Sequence, residues 1–260
     1  MRNTAGYNFE ALRGNPYPGR GIVVGLDETG KFLVQLYWIM GRSPNSRNRV
    51  FSHDGNGRVF TEAADPAKVE DPSLIIYNAM REVTHKGENH LSVVSNGAQT
   101  DAIIENSFCL KTDTLRANIK QWTYEPDAPN FTPRITTASM WMKYATREVP
   151  FFQISILRKS WWSKACDRHL YEIDGVGSGF GYCVTTYLRD GHPLPAFQGE
   201  PFPLPLRGDI RLIADEYWEA LNPDNKVSLA VKFIPKKGPS DVVIINKYAR
   251  IVHDKIEKKD

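Results

Sequence analysis

Short apolar runs separated by turn residues recur along the chain and predict β-strands. The first run spans residues 19–26 and the second spans 31–40, with a turn of Asp, Glu, Thr and Gly between them at 27–30. Apolar runs of this length that are flanked by turn residues are typical of strands. We therefore predict an N-terminal β-hairpin, followed by a polar, basic loop over residues 41–49.

Later runs of the same kind predict the rest of the strands. They are rich in aliphatic and aromatic residues and are bounded by polar or glycine-containing segments. A turn is predicted at 86–89, and the predicted strands are 74–83, 91–94, 134–141, 151–158, 227–234 and 241–245, of which the last two form a hairpin.

Three segments carry helix signals instead. A short helix is predicted within residues 102–106, and a longer one from Thr112 or Asp113 to about Trp122. The third begins at Asp209, after which apolar residues recur on one helical face. Thr and Asp side chains accept hydrogen bonds from the free N–H groups of a first turn, so they mark helix starts.

This order of elements indicates an α+β fold with two largely antiparallel sheets, because strand runs alternate with helix runs. Two sheets packed face to face and covered by helices would bury the apolar faces of both kinds of element. The proline-rich segment 191–207 is a linker or a surface excursion, and we favour the excursion because the tail beyond it is small for an independent domain. The glycines of 175–181 lack the spacing of a phosphate loop and predict a flexible or bulged segment.

Composition excludes several classes of protein. A formal net charge of +3 and a pI near 8.6 are too mild for a typical nucleic-acid-binding protein. No apolar run approaches the roughly 18 residues of a membrane span, and the polar N-terminus lacks the apolar centre of a signal peptide. Scattered histidines and the cysteines Cys109, Cys166 and Cys183 form no metal-ligand pattern. We expect a cytoplasmic protein without a metal.

The basic loop 41–49 is the first candidate for chemistry. Arg42 and Arg47 carry forked guanidinium donors that match phosphate oxygens, so the loop could clamp a phosphomonoester. A solvated basic loop is the alternative. In the predicted strand around Tyr77, alternation places Tyr77 and Arg81 on one face and Asn78 on the other. A phenol beside a guanidinium could transfer protons, although such a tyrosine is more often a core residue.

Two further polar segments follow or precede predicted strands. The segment 95–101 begins with a Ser-Asn-Gly turn, and Asn96, Gln99 and Thr100 could donate hydrogen bonds to an anion. A turn followed by a helix cap is the alternative. Glu125 and Asp127 lie close in sequence to Arg134 and could supply an acid or base, whereas a structural ion pair is the plainer interpretation.

Taken in order, these segments resemble the archaeal-type IMP cyclohydrolases. The resemblance covers residues 19–158 and rests on six matches, of which S-N-G-x-x-T-D followed by T-P-R-I is the most specific. The matching segments are Gly19-Arg20, Arg42-Ser43 to Arg47, Tyr77-Asn78, Ser95 to Asp101, Tyr124-Glu125 and Thr132 to Ile135.

The resemblance implies a four-layer αββα sandwich similar to N-terminal nucleophile hydrolases. No Ser, Thr or Cys opens the first strand, so the nucleophile chemistry of those hydrolases is not supported. Against this family the chain divides into an N-terminal extension (1–18), a single domain (19–250) and a charged tail (251–260). Insertions are expected near 160–172 and 187–207.

The implied activity is cyclisation of 5-formamidoimidazole-4-carboxamide ribonucleotide to IMP with loss of water in purine biosynthesis. It needs no cofactor, and the resemblance makes a homo-oligomer the expected assembly. For this activity we hypothesise that the catalytic residues are Tyr77 and Glu125, which exchange protons, and Arg42, which with Arg47 grips the phosphate or the developing oxyanion. The implied substrate-binding residues are Arg20, Arg47, Asn78, Arg81, Asn96, Gln99, Thr100, Asp101 and Arg134.

Other functions remain open at this point. An amide hydrolase of the related sandwich fold would use water as the attacking group. A purine nucleotide-binding protein without catalysis would bind IMP and show no turnover. Nucleic-acid binding ranks last because of the mild charge.

Overall fold

Two antiparallel sheets face each other and form the body of the protein. The structure is a computed structural model that describes residues 2–69, 72, 75–85, 89–107, 114–144 and 147–250. The predicted N-caps at Thr112 and Asp113, most of the turn at 86–89, Cys109 and the tail at 251–260 lie outside the described residues.

The first sheet has six strands, and it contains both predicted terminal hairpins. Its order across the sheet is β11-β10-β1-β2-β12-β13, and every neighbouring pair is antiparallel. The strands are β1 (Gly21–Leu26), β2 (Phe32–Met40), β10 (Phe180–Thr185), β11 (Phe202–Pro205), β12 (Lys226–Pro235) and β13 (Asp241–Asn246).

The second sheet has seven strands in simple sequential order from β3 to β9, again antiparallel throughout. Each strand pairs with the next one along the chain, so this sheet is a meander. The strands are β3 (Val50–His53), β4 (Val59–Glu62), β5 (Asn78–His85), β6 (Asn89–Ser95), β7 (Arg134–Tyr144), β8 (Arg147–Lys159) and β9 (Cys166–Asp174).

Helices cover the outer faces of both sheets. The helices α1 (Arg2–Arg13) and α5 (Ile210–Ala220) pack on the first sheet. On the second sheet lie α3 (Gln99–Glu105) and α4 (Thr114–Ile119). A short helix, α2 (Pro44–Arg47), lies in the basic loop between the sheets. The predicted α+β sandwich of antiparallel sheets is therefore confirmed.

Three apolar layers hold these four layers together, as the strand period requires. Between the sheets, Ile22 and Tyr37 meet Ile135 and Phe152, all fully buried. On the other face of β2, Trp38 packs beneath the helices. Each such side chain contributes roughly 1.5–3 kcal/mol through removal from water, so the alternation of inner and outer residues determines the sandwich.

The predicted elements agree with the structure at both terminal hairpins, at the central strands and at α5. Asp209 caps α5 as predicted, because its carboxylate accepts a hydrogen bond from the N–H of Leu212 at 2.8 Å. The strands β3, β4, β9, β10 and β11 and the helix α1 were not predicted. The interpretation of 175–181 as flexible or bulged is wrong for its last two residues, which belong to β10. Gly181 pairs with Gly25 inside the sheet, where a Cβ on Gly181 would meet Val24 O at 2.8 Å.

Alternation also fails at the start of β5. Val59 pairs with Met80 and Phe60 with Asn78, so one extra residue of β5 lies between them, as in a β-bulge. The bulge turns Asn78 and Arg81 to the same side, where both contact Asp101. The prediction that Tyr77 and Arg81 share a face and Asn78 lies opposite is therefore wrong.

The segments set apart in the sequence have structure of their own. The predicted extension carries α1, whose Phe9 and Leu12 are buried against the first sheet. The two expected insertions contain β9 and β11, and the domain boundaries stay a prediction. None of the described helices has the length and apolar character that crossing a bilayer requires.

Candidate active site

A cavity of about 320 Å³ opens at one end of the sandwich, where strands of both sheets begin or end. This is within the usual size of a small-molecule site, roughly 300–1,000 Å³. The wall combines residues that precede β1, β5 and β7 with residues that follow β2 and β10. The lining residues are Tyr17, Gly19, Arg20, Met40, Arg42, Ser43, Asn45, Ser46, Arg49, Ile75, Glu125, Asp127, Asn130, Thr132, Tyr187 and Leu194.

A buried ion pair lies at the base of this cavity. The Nη2 of Arg20 donates to Oε2 of Glu125 at 3.0 Å, and both side chains are about nine-tenths buried. Burial alone would lower the pKa of Arg20, but the carboxylate of Glu125 and three nearby phenols raise that pKa well above its ordinary value. Arg20 is therefore a permanent cation with N–H groups available to a ligand.

An amide network behind the ion pair positions Glu125. Asn96 donates to the carbonyl of Pro133 at 2.9 Å and accepts from the N–H of Ile135 at 2.9 Å. The amide of Gln99 reaches Asn96 at 3.2 Å, and Arg134 donates to Gln99 at 3.2 Å. Asn96 therefore joins the turn after β6 to the start of β7, which fixes the loop that carries Glu125.

Arg134 is a second cation near the carboxylate. Its Nη1 lies 3.9 Å from Oε1 of Glu125, and its guanidinium lies over the ring of Trp122 at 5.1 Å. Burial, together with the charge of Arg20, lowers the pKa of Arg134. Two guanidinium groups thus flank one carboxylate.

Two pairs of hydroxyl groups lie near Arg20. Tyr37 and Tyr77 share a hydrogen bond of 2.7 Å in the core, near Arg20 but behind the cavity wall. Tyr187 faces the cavity itself and shares a hydrogen bond with Thr132, which also contacts Asp127. Burial raises the pKa of Tyr187 to about 12, so at neutral pH it is a proton donor.

The mouth of the cavity is basic. Arg42 forms an ion pair with Asp190 and lies over the ring of Tyr17 at 4.9 Å. Arg49 is buried and donates through Nε to the carbonyl of Ser46 at 3.0 Å, and it has no ion pair with a described carboxylate. The buried Oδ1 of Asn45 also has no hydrogen-bond partner among the described residues. Polar groups at the mouth are thus left for a ligand.

The structure brings some of the predicted site residues together. Arg20, Arg42 and Glu125 line the cavity, whereas Asn96, Gln99 and Arg134 support it from behind. Tyr77 lies in the core beside them, bonded to Tyr37. The four residues Arg42, Tyr77, Asn96 and Glu125 are therefore grouped at one end of the sandwich and not on distant surfaces.

Five other predicted residues lie outside the lining. Arg47 bonds to the carbonyl of Gly41 and to Asn225, and Asn78 and Arg81 bind Asp101 beneath α3. Thr100 is buried and bonds to Ser95 at the start of α3. These contacts are internal to the fold. The cavity therefore gives no evidence that substrate contacts any of these five predicted residues, which are Arg47, Asn78, Arg81, Thr100 and Asp101.

Sequence reasoning missed several lining residues. Arg49 belongs to the basic loop 41–49 that the sequence predicts as a phosphate clamp, but nothing in the sequence distinguishes Arg49 from Arg47. Tyr17 and Tyr187 come from segments that were interpreted as an extension and an insertion, and their rings stack with centroids 6.0 Å apart. Only the fold brings these distant segments to the same cavity.

The fold and the cavity together define an αββα protein with a cationic site of small-molecule size. The chain belongs to the family of IMP cyclohydrolase-like proteins, because the family's model matches residues 17–238, a range that includes every lining residue of the cavity. The resemblance seen in the sequence is thereby confirmed. No curated protein and no solved structure matches the chain, and the likeness to N-terminal nucleophile hydrolases stays a prediction.

Proposed function

We propose that this cavity binds 5-formamidoimidazole-4-carboxamide ribonucleotide and closes its last ring to give IMP and water. The observation that carries the proposal is the position of the Arg20–Glu125 pair at the base of a cavity whose mouth is lined by further arginines. Family membership supports a related activity.

The mouth of the cavity fits the 5′-phosphate. Arg42 and Arg49 present guanidinium groups there, and forked donors bind phosphate oxygens in pairs. Arg49 has no described carboxylate to neutralise it, so we assign it the larger share of phosphate binding. Arg47, which is bonded to Gly41 and Asn225, is replaced by Arg49 in this role.

The reaction needs positioning more than it needs a covalent intermediate. The carboxamide nitrogen attacks the formyl carbon of the same molecule, a C–N bond forms, and the formyl oxygen leaves as water after taking up protons. Nucleophile and electrophile are already joined, so holding the reactive rotamer supplies much of the rate. Arg20 lies where it could stabilise negative charge on the formyl oxygen as the ring closes.

Two kinds of group in the cavity could move the protons. Glu125 is a carboxylate, and we assign it to accept a proton from the attacking nitrogen. Tyr187 is a phenol that faces the cavity, and its raised pKa suits donation to the departing oxygen. Tyr77 is bonded to Tyr37 behind the cavity wall, so we propose that it acts through Arg20 and not by contact with the substrate.

Turnover of the formamido ribonucleotide, followed by ultraviolet absorbance, tests these roles. Glu125→Gln should lower turnover by about 10²- to 10⁴-fold, the usual effect of removing a proton-transfer group. Tyr187→Phe should also lower turnover, whereas Tyr77→Phe should have a smaller effect because Tyr77 does not line the cavity. Glu105→Gln is a matched control, since Glu105 is exposed and pairs with Arg81 outside the cavity.

Two outcomes would reject the proposal. The assigned roles are wrong if Glu125→Gln and both tyrosine variants are folded and turn over like the wild type. If the protein binds IMP but forms none from the precursor, it is a nucleotide-binding protein without this activity. The homo-oligomer implied by the resemblance stays a prediction.

A further inference from the structure

A second cavity, of about 490 Å³, lies beside the first one. Asn130 and Leu194 line both, and the Oδ1 of Asn130 accepts a hydrogen bond from the N–H of Leu194 at 3.1 Å. This contact forms part of a shared wall. The rest of the second cavity comes from the loop before β7, the end of β8 and the proline-rich segment.

Two cations line the second cavity. Lys159 has no ion pair with any carboxylate that the structure describes, and its Nζ lies 5.4 Å from the ring centre of Phe131. Arg158 donates to the carbonyl of Phe197 at 3.3 Å and lies 3.8 Å from Asp167, which is a loose ion pair. The cavity wall therefore carries positive charge that the described acids only partly balance.

Aromatic rings line the same cavity. Trp161 is 78 % exposed at the tip between β8 and β9, although it borders the cavity. Phe131 has a φ of 45°, a left-handed conformation that is unfavourable for a large side chain. Its ring meets the ring of Tyr124 edge-on, with the centroids 5.6 Å apart. Strain of this kind is often found where a residue contacts a ligand.

From these observations we infer that the second cavity binds a planar aromatic anion of the nucleoside monophosphate class. The exposed indole of Trp161 offers a face on which a base can stack. Lys159 and Arg158 offer charge to the phosphate. The inference does not rest on the cyclisation chemistry, because none of the proton-transfer groups lines this cavity.

Binding of adenosine 5′-monophosphate to the full chain, measured by calorimetry, tests the inference. Lys159→Gln and Trp161→Ala should each weaken this binding by about tenfold, since each removes one of the two kinds of contact. The controls are Lys164→Gln and Trp162→Ala on the same tip. Trp162 is 89 % exposed, and neither control residue lines the second cavity, so both variants should bind like the wild type.

Two fragments of the probe separate the contributions. Adenosine lacks the phosphate and ribose 5-phosphate lacks the base, so each should bind at least about tenfold more weakly than the whole nucleotide if ring and charge act together. Equal binding of ribose 5-phosphate and the nucleotide would overturn the assignment of an aromatic ligand.

The variant Arg49→Gln measures how much of the nucleotide binding belongs to the first cavity, because Arg49 lines only that cavity of the two. If Arg49→Gln abolishes all nucleotide binding while Lys159→Gln and Trp161→Ala leave it unchanged, the second site does not exist. The inference is also rejected if Trp161→Ala changes only the molar mass by light scattering, which would make the tip a contact between copies. If Glu125→Gln loses ring closure but still binds the nucleotide at the second cavity, binding there does not depend on the proposed catalysis.

Discussion

The space between the sheets holds two buried ion pairs with different surroundings. Arg20 and Glu125 lie at the end of the sandwich and line a cavity. Lys232 is fully buried in β12 and pairs closely with Glu82 of β5, away from that cavity. Both pairs join a cation of one part of the fold to a carboxylate of another.

The Lys232–Glu82 pair is satisfied by the protein. The Nζ of Lys232 also donates to the carbonyl of Gly57 at 2.7 Å, and Glu82 accepts a hydrogen bond from Ser240 at 2.9 Å. His90 lies 3.4 Å from the same carboxylate. This pair links the sheets, and both of its members make further contacts with the protein.

The Arg20–Glu125 pair leaves part of its capacity open. Within the described part of the chain, Arg20 donates from its side chain to Glu125 and to the carbonyl of Asn96, which leaves other guanidinium N–H groups for a ligand. Buried ion pairs add little net stability, because desolvation offsets attraction. We therefore expect Arg20–Glu125, the open pair, to serve binding and chemistry. We expect Lys232–Glu82, the closed pair, to stabilise the fold.

The largest predicted effect is on stability at the closed pair. Glu82→Gln should lower the free energy of unfolding by roughly 3–5 kcal/mol, because it leaves Lys232 buried without a counter-charge. Urea unfolding measures this loss. Turnover of the folded variant should stay near the wild-type value, in contrast to Glu125→Gln.

A double variant sharpens that result. Replacing both Lys232 and Glu82 with methionine removes the charges together, and such apolar replacements are often neutral or stabilising. The double variant should therefore regain much of the lost stability. The assignment of the Lys232–Glu82 pair to fold stability is wrong if Glu82→Gln is as stable as the wild type. It is also wrong if turnover of Glu82→Gln falls as far as that of Glu125→Gln.

A smaller effect is expected at the mouth of the cavity. Arg49→Gln should raise KM for the nucleotide by about tenfold, since a charge-assisted hydrogen bond typically contributes about 1.5–3 kcal/mol. Arg47→Gln is the matched control, because Arg47 also bonds to a loop carbonyl but does not line the cavity. Steady-state kinetics of both variants measures the difference, and equal values of KM would refute the assignment.

The pH dependence of stability gives a further test of the Lys232–Glu82 pair. Burial alone would raise the pKa of Glu82, but contact with His90 and the charge of Lys232 lower it to about 2, from an ordinary value of 4.5. The stabilisation from Glu82 is therefore complete above pH 4.5 and is lost as the pH falls through about 2.

Acid titration of the free energy of unfolding tests this dependence. The wild type should lose more stability than Glu82→Gln between pH 4.5 and 2, because the variant has no carboxylate to protonate at that position. Parallel curves for the two proteins over this window would contradict the account.

Local patterns were sufficient to predict the two terminal hairpins and the helix capped by Asp209. They failed where pairing is decided at long range. The strand β10 was missed because its glycine-rich start resembles a loop, whereas Gly181 is there so that the backbone can approach Val24. The helix α1 was missed because its sequence is polar, and only packing of Phe9 and Leu12 on the first sheet accounts for it.

The order of motifs along the chain was enough to predict some residues of the candidate site. Other residues were missed because their position depends on the three-dimensional fold. Glu125 and Arg20 are 105 positions apart, and the order of their motifs was enough to group them. Arg47 and Arg49 cannot be told apart by composition, because the turn of α2 decides which of them faces the cavity. The bulge in β5, which sends Asn78 and Arg81 to Asp101, leaves no periodic signal.

The most direct test of the central claim follows the formyl carbon itself. The precursor is labelled with ¹³C at the formyl group, incubated with the full chain and observed by NMR. Ring closure between the two tethered groups predicts that the label appears in the new ring of IMP. Release of the label as formate would show attack by water, which would make the protein an amide hydrolase and contradict the account.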